Sequence, residues 1–150
     1  MQRAIDIAFL GVDSGKGGPF GAVVVKDGVI VGEGSNEVTS TADPTAHAEV
    51  VAIRRACSSL GEFQLDGCEL YTTCEPCPMC IGAIYWARPD KVYYGSTKED
   101  AAAIGFDDNF IYNEIDLAMK DRKIPFVQMD RSETISLFEK WQDKNDKIDY

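Results

Sequence analysis

His47, the only histidine of this 150-residue chain, stands two positions before Glu49, and Pro76-Cys77-Pro78-Met79-Cys80 follows further along with its two cysteines three apart. Zinc prefers imidazole and thiolate donors in tetrahedral geometry, and a catalytic zinc keeps its fourth position for water. His47, Cys77 and Cys80 supply the three protein donors of such a site, which would hold one Zn²⁺ per subunit. Two thiolates and a neutral imidazole balance the charge of the ion, which still lowers the pKa of a bound water to about 7 in favourable sites. Hydrolysis by that water needs a carboxylate to take its proton and return it to the substrate, and Glu49 is the natural candidate.

Other chemistries use parts of this set. A Cys-x-x-Cys pair alone can be a redox couple, but that function requires neither His47 nor Glu49. Cys74-x-x-Cys77-x-x-Cys80 begins like an iron–sulfur run, which needs a further cysteine where this chain has Ile84. A closed structural zinc site with Cys74 as fourth ligand stays open, and it would make the protein a non-catalytic zinc module with Glu49 an acid complementing a helix dipole. Cys57 and Cys68 read as buried small hydrophobes.

The elements that must position these residues follow from periodicity. Residues 1–14 carry apolar side chains at helical spacing ahead of the loop Gly15-Lys16-Gly17-Gly18-Pro19. Residues 20–26 and 29–33 are β-branched runs joined by Asp27-Gly28, the signal of a tight hairpin. Asp43-Pro44-Thr45 supplies capping chemistry for a helix ending at Gly61, with His47 in its first turn. Residues 68–73 form a third strand, and Pro78 starts a helix, opened by Cys77 and Cys80, that Arg88-Pro89 stops. Residues 91–94 and 124–129 read as a fourth and a fifth strand, with a helix between them through Ile111, Ile115 and Ala118. Residues 132–144 close the chain as an amphipathic helix. Alternating strands and helices predict one α/β domain over 1–150, three-layer α/β/α with a mixed five-stranded sheet.

Bulk properties narrow the partners. Fifteen Lys and Arg against 25 Asp and Glu give a net charge of −10, which repels a phosphate backbone and favours a small-molecule substrate over nucleic acid. Five cysteines, three of them within seven residues, suit metal binding in a reducing compartment better than disulfides. With no apolar run long enough to span a membrane and charges in the first ten residues, the expectation is a soluble cytoplasmic protein.

The motifs His47-Ala48-Glu49 and Pro76-Cys77-Pro78-Met79-Cys80 resemble the signature of the cytidine deaminase-like superfamily. The likeness extends through Gly17-Gly18-Pro19-Phe20-Gly21-Ala22, Asn36, Asp43-Pro44-Thr45-Ala46, Cys74-Glu75, Gly82-Ala83-Ile84-Tyr85-Trp86-Ala87-Arg88 and Gly105-Phe106-Asp107-Asp108. Gly105 to Asp108 and the terminal Tyr150 are similar to the guanine deaminase branch. That resemblance implies hydrolysis of guanine to xanthine and ammonia by attack of activated water at C2, with Glu49 as proton shuttle. It further implies that Asn36 hydrogen-bonds the base, Phe20 lines the pocket, Asp108 is a second carboxylate near the departing amine, and Tyr150 closes the site. Under the same resemblance the protein is a homodimer, with residues 132–150 as a lid that the subunits exchange. Guanosine, tRNA adenosine and cytosine or cytidine deamination are the neighbouring activities.

Overall fold

The computed structural model describes residues 1–149; the Tyr150 assignment lies outside the described residues. Two compact units form, one of residues 1–108 and one starting at Asn109. In the first, α1 (Gln2–Asp13) is followed by the hairpin of β1 (Gly21–Lys26) and β2 (Val29–Ser35). Asp27 and Gly28 both adopt positive φ, 50° and 77°, as a two-residue turn matching the strand twist requires. A short helix, α2 (Val38–Thr41), precedes α3 (Ala48–Leu60), β3 (Cys68–Cys74), α4 (Pro78–Ala87), β4 (Lys91–Ser96) and α5 (Lys98–Ala103).

The sheet is mixed, in the order β2-β1-β3-β4, with β1 antiparallel to both β2 and β3 and β4 parallel to β3. Period-two alternation splits its side chains between two helical layers. Val23, Val25 and Tyr71 pack with Ala4 and Ile7 of α1. Ala22, Val24, Cys68 and Leu70 face the other way, in a cluster with Ala48, Ala52, Ile53 and Ala56 of α3 and Ala87 of α4. The expected three-layer α/β/α arrangement is therefore present.

Register brings the chemistry to one end of this sheet. The start of β1 pairs with the ends of β2 and β3 (Gly21↔Ser35, Ala22↔Thr72), and Cys74 at the end of β3 lies beside Ser96 at the end of β4. Phe20, Asn36, the loop from Cys74 to Cys77 and the entry to α5 thus emerge together, at the carboxyl ends of the parallel strands where α/β sheets place their sites.

The second unit contains α6 (Asn109–Asp116), a single 3₁₀ turn at Met119–Asp121 and α7 (Arg131–Gln142). The helix expected through Ile111, Ile115 and Ala118 is α6, which ends at Asp116, and a further helix not expected from the sequence, α5, precedes it beyond a turn at Gly105 with φ 93°. The sheet has four strands among the described residues, and 124–129, read as a fifth, forms no ladder there. Strand propensity cannot replace a pairing edge: Pro125 lacks an N–H to donate, and Ile124, Val127 and Met129 stay 73%, 77% and 72% exposed.

Candidate active site

Two helix starts face each other across the metal ligands. His47 is the N-cap of α3 and not, as the sequence suggested, part of its first turn. Asp43-Pro44-Thr45 forms its own turn instead, in which the Asp43 carboxylate accepts from the Thr45 N–H (2.8 Å) and hydroxyl (2.7 Å). Cys77 is likewise the N-cap of α4, with Pro78 in the position where a missing N–H costs nothing and Cys80 one turn in. Both caps lie at the positive ends of helix dipoles, which favours thiolate at the cysteines.

His47 Nδ1 lies 3.5 Å from Cys77 Sγ and 3.6 Å from Cys80 Sγ, and one donor atom from each of the three residues falls within 4.8 Å of the others. A tetrahedral zinc with Zn–N of about 2.05 Å and Zn–S of about 2.3 Å sets nitrogen and sulfur about 3.6 Å apart. The residues therefore fit the ion, through Nδ1 of the imidazole, leaving the ring proton on Nε2. Hydrogen bonding from the Cys80 thiol and the His47 imidazole brings Cys77 down to about 4, while Cys80 is pushed far up by that same bond and by burial. His47 is raised above its ordinary value, chiefly by its bond to Cys77.

Cys74 does not join them. Its thiol points to the carbonyl oxygen of Thr97, 3.5 Å away, and burial raises its pKa to about 11, so it stays a neutral thiol at physiological pH. The cluster found among the described residues has three members, which leaves a tetrahedral ion its fourth position and removes the geometric basis for a closed four-ligand site.

Glu49, in the first turn of α3, is 6% exposed. Burial, helped by the charge on Cys77, lifts it above the usual carboxylate range. A carboxylate raised in this way exchanges protons more readily near neutral pH. Asp108 is also raised, first by burial and then by Cys77, whose charge it feels from the far end of the segment after α5.

Asn36, 6% exposed, is held by the loop before β1: its Oδ1 accepts from Gly18 N–H (3.2 Å) and Val38 N–H (3.3 Å). Its NH₂ group has no partner among the described residues, so it offers two donors and no acceptor to a ligand. Glu37 N–H donates to the Ala46 carbonyl (2.9 Å), which ties Asn36 to the residue preceding His47. Phe20 enters from the start of β1, packing on the core and edge-on against Phe106 at 4.9 Å.

Two residues without an assigned role in the sequence reading matter to this geometry. Glu75, next to Pro76, accepts the Lys98 N–H (3.2 Å) and so anchors the start of α5 to the metal loop. Phe106 is the other; its place in Gly105-Phe106-Asp107-Asp108 was the available signal.

A paired helix-start site of one imidazole and two thiolates, with a buried carboxylate beside it on an α/β/α scaffold, defines a zinc-dependent hydrolase. The family described as the cytidine and deoxycytidylate deaminase zinc-binding region matches residues 1–96, and the chain belongs to it. Across 150 residues, all of this chain and 96% of the relative, it is 57% identical to the guanine deaminase of Bacillus subtilis. The X-ray structure of guanine deaminase from Bacillus subtilis superposes with a TM-score of 0.97 at 58% identity, covering 99% of this chain and 95% of the other. The tRNA-specific adenosine deaminase of Agrobacterium fabrum is 44% identical over only 86 residues, 57% of each chain.

Proposed function

We propose that this protein hydrolyses guanine to xanthine and ammonia, replacing the 2-amino group with oxygen from water. The observation that carries the reading is the likeness to a guanine deaminase over the full chain, where the adenosine deaminase likeness covers little more than half. Zinc, when bound by His47, Cys77 and Cys80, supplies Lewis acidity that makes a water nucleophilic at neutral pH.

The chain's own residues do the rest. Glu49 takes one proton of the attacking water and delivers it to ring nitrogen N3, then takes the second from the hydroxyl added at C2 and delivers it to the amine, which leaves as ammonia, a task suited to its raised pKa. Guanine presents acceptors at O6 and N7 and donors at N1 and N2. The two free donors of Asn36 match the acceptors, and the Asp108 carboxylate matches the donors around the leaving amine. Phe20 forms an apolar wall for the base. A base of the opposite polarity would leave buried groups unpaired, which is the strongest form of discrimination available to such a pocket.

Residues 1–150 act in this reading as one deaminase domain, with 132–150 as a lid and Tyr150 closing the site. The protein works as a cytoplasmic homodimer on a free base rather than on nucleic acid. The net charge of −10 supports a small substrate, and no helix among the described residues is long and apolar enough to cross a membrane. Tyr85 and Trp86 on α4, 78% and 65% exposed, and the open apolar run 124–129 support a second copy as cover, with exchange of the C-terminal segment as one way to provide it.

The test is ammonia release from guanine, guanosine, adenine, cytosine and cytidine, with zinc measured on the same sample and mass determined by light scattering. Guanine is expected to be the preferred substrate by a wide margin, with about one zinc per chain and a dimer mass. Efficient turnover of guanosine without guanine would overturn the substrate assignment.

A further inference from the structure

Segment 97–108 crosses from the end of β4 to Asp108 and is fixed at both ends. At its start the Cys74 thiol meets the Thr97 carbonyl, Glu75 accepts from the Lys98 N–H, and Thr97 and Asp100 form a reciprocal capping box on α5. At its other end the chain turns at Gly105 and the Phe106 N–H bonds back to the Ala101 carbonyl (3.0 Å). Past that turn the Phe106 ring enters a notch in the loop before β1.

The notch exists because residue 18 has no side chain. A Cβ there would lie 3.0 Å from Phe106 Cζ and 3.2 Å from Phe20 Cδ2, so Gly18 makes room for both rings. Those rings meet edge to face, 88° between planes. The same Gly18 donates its N–H to Asn36 Oδ1 and accepts the Phe20 N–H at its carbonyl (2.8 Å). Phe106, Phe20, Gly18 and Asn36 are thus one connected set, and Asp108 follows two residues later. Phe106 stays 46% exposed, more than a ring serving only the core would be.

We propose that Phe106 is a positioning residue of the base pocket: seated in the Gly18 notch, it fixes the Phe20 wall and, through the short link to Asp108, the carboxylate facing the substrate. This rests on the deaminase reading above. Phe106 touches neither the metal ligands nor the reacting atoms. It acts by restricting Phe20 to one pose and by holding the end of the segment after α5.

Phe106→Ala is expected to lower kcat/KM for guanine by about fivefold to tenfold, the worth of one edge-to-face contact expressed as a rate ratio, with zinc content unchanged. Phe106→Tyr, which keeps the ring, should retain nearly full activity, whereas Phe106→Leu, which keeps only apolar bulk, should not. Gly18→Ala should reproduce the Phe106→Ala defect, since only ring carbons need to move for it to fold. In the Phe20→Ala background, adding Phe106→Ala should cost little more, because the ring it holds is gone. A change below about twofold in Phe106→Ala, full rescue by leucine, additive losses in the double variant, or loss of zinc would each overturn the proposal. If the unsubstituted protein instead released ammonia only from another base, the substrate reading would fail, and Phe106 would be judged by the same variants on that base.

Discussion

Gly34→Ala is the substitution for which the structure sets the sharpest expectation. Gly34 in β2 lies directly under the start of α3, where an added Cβ would collide with the Ala48 carbonyl oxygen and lie 2.7 Å from Ala52 N. Neither atom is the end of a flexible side chain. Comfortable contact needs about 3.5 Å, so α3 would have to lift by more than about half an ångström, carrying His47 at its cap and Glu49 in its first turn. Overpacking of this kind costs about 1–3 kcal/mol. Zinc ligands tolerate about 0.2 Å, and displacing catalytic groups by about 1 Å lowers rates up to about a hundredfold. The variant should therefore melt earlier, bind zinc more weakly and release ammonia at least tenfold more slowly, a loss on the order set by those displacements. Gly28→Ala is the control: it meets no atom within 4 Å, though its φ of 77° costs it some stability, and it should keep full activity once folded. Calorimetry, metal analysis and an ammonia assay on both variants decide the matter. Wild-type melting and turnover in Gly34→Ala would refute the claim that α3 is held at this contact.

Cys74→Ser should retain zinc and most activity, because its thiol faces Thr97 and not the ion; metal analysis that showed zinc loss would reinstate a four-ligand site. Cys77→Ser and Cys80→Ser should each lose tightly bound zinc. With its folded pKa raised from 9.0 to about 11, Cys74 contributes stability that is complete below about pH 9 and lost as pH rises through 11. A pH series of melting temperatures should accordingly show Cys74→Ser converging on the parent at the alkaline end. Asn36→Asp replaces the free NH₂ with an acceptor, so KM for guanine should rise by about two orders of magnitude with zinc retained; an unchanged KM would show that the amide does not read the base.

The metal ligands were legible because the chemistry needs few residue types at short spacing, and the helix start at Pro78 is locally encoded. The start of α3 was placed about one helical turn too early, at Asp43 instead of His47, because Asp43 caps a turn of its own, a competition between two local hydrogen-bonding patterns that composition does not resolve. Residues 124–129 have strand composition, but pairing depends on an edge that local sequence cannot supply. Cys74 carries the same residue type as the ligands, and only the register of β3 against β4 sends its thiol to Thr97. The polarity that Asn36 offers was hidden for the same reason: Oδ1 is consumed by Gly18 and Val38, one of them 18 positions away.

In the proposed reaction the three-ligand zinc site works with Glu49 as its proton carrier. The most direct measurement of that role is zinc content and ammonia release from guanine on one sample of Glu49→Ala. That sample should hold about one zinc per chain and release ammonia about 10²–10⁴-fold more slowly, the range for loss of a positioned acid–base group. Undiminished ammonia release from that sample would contradict it.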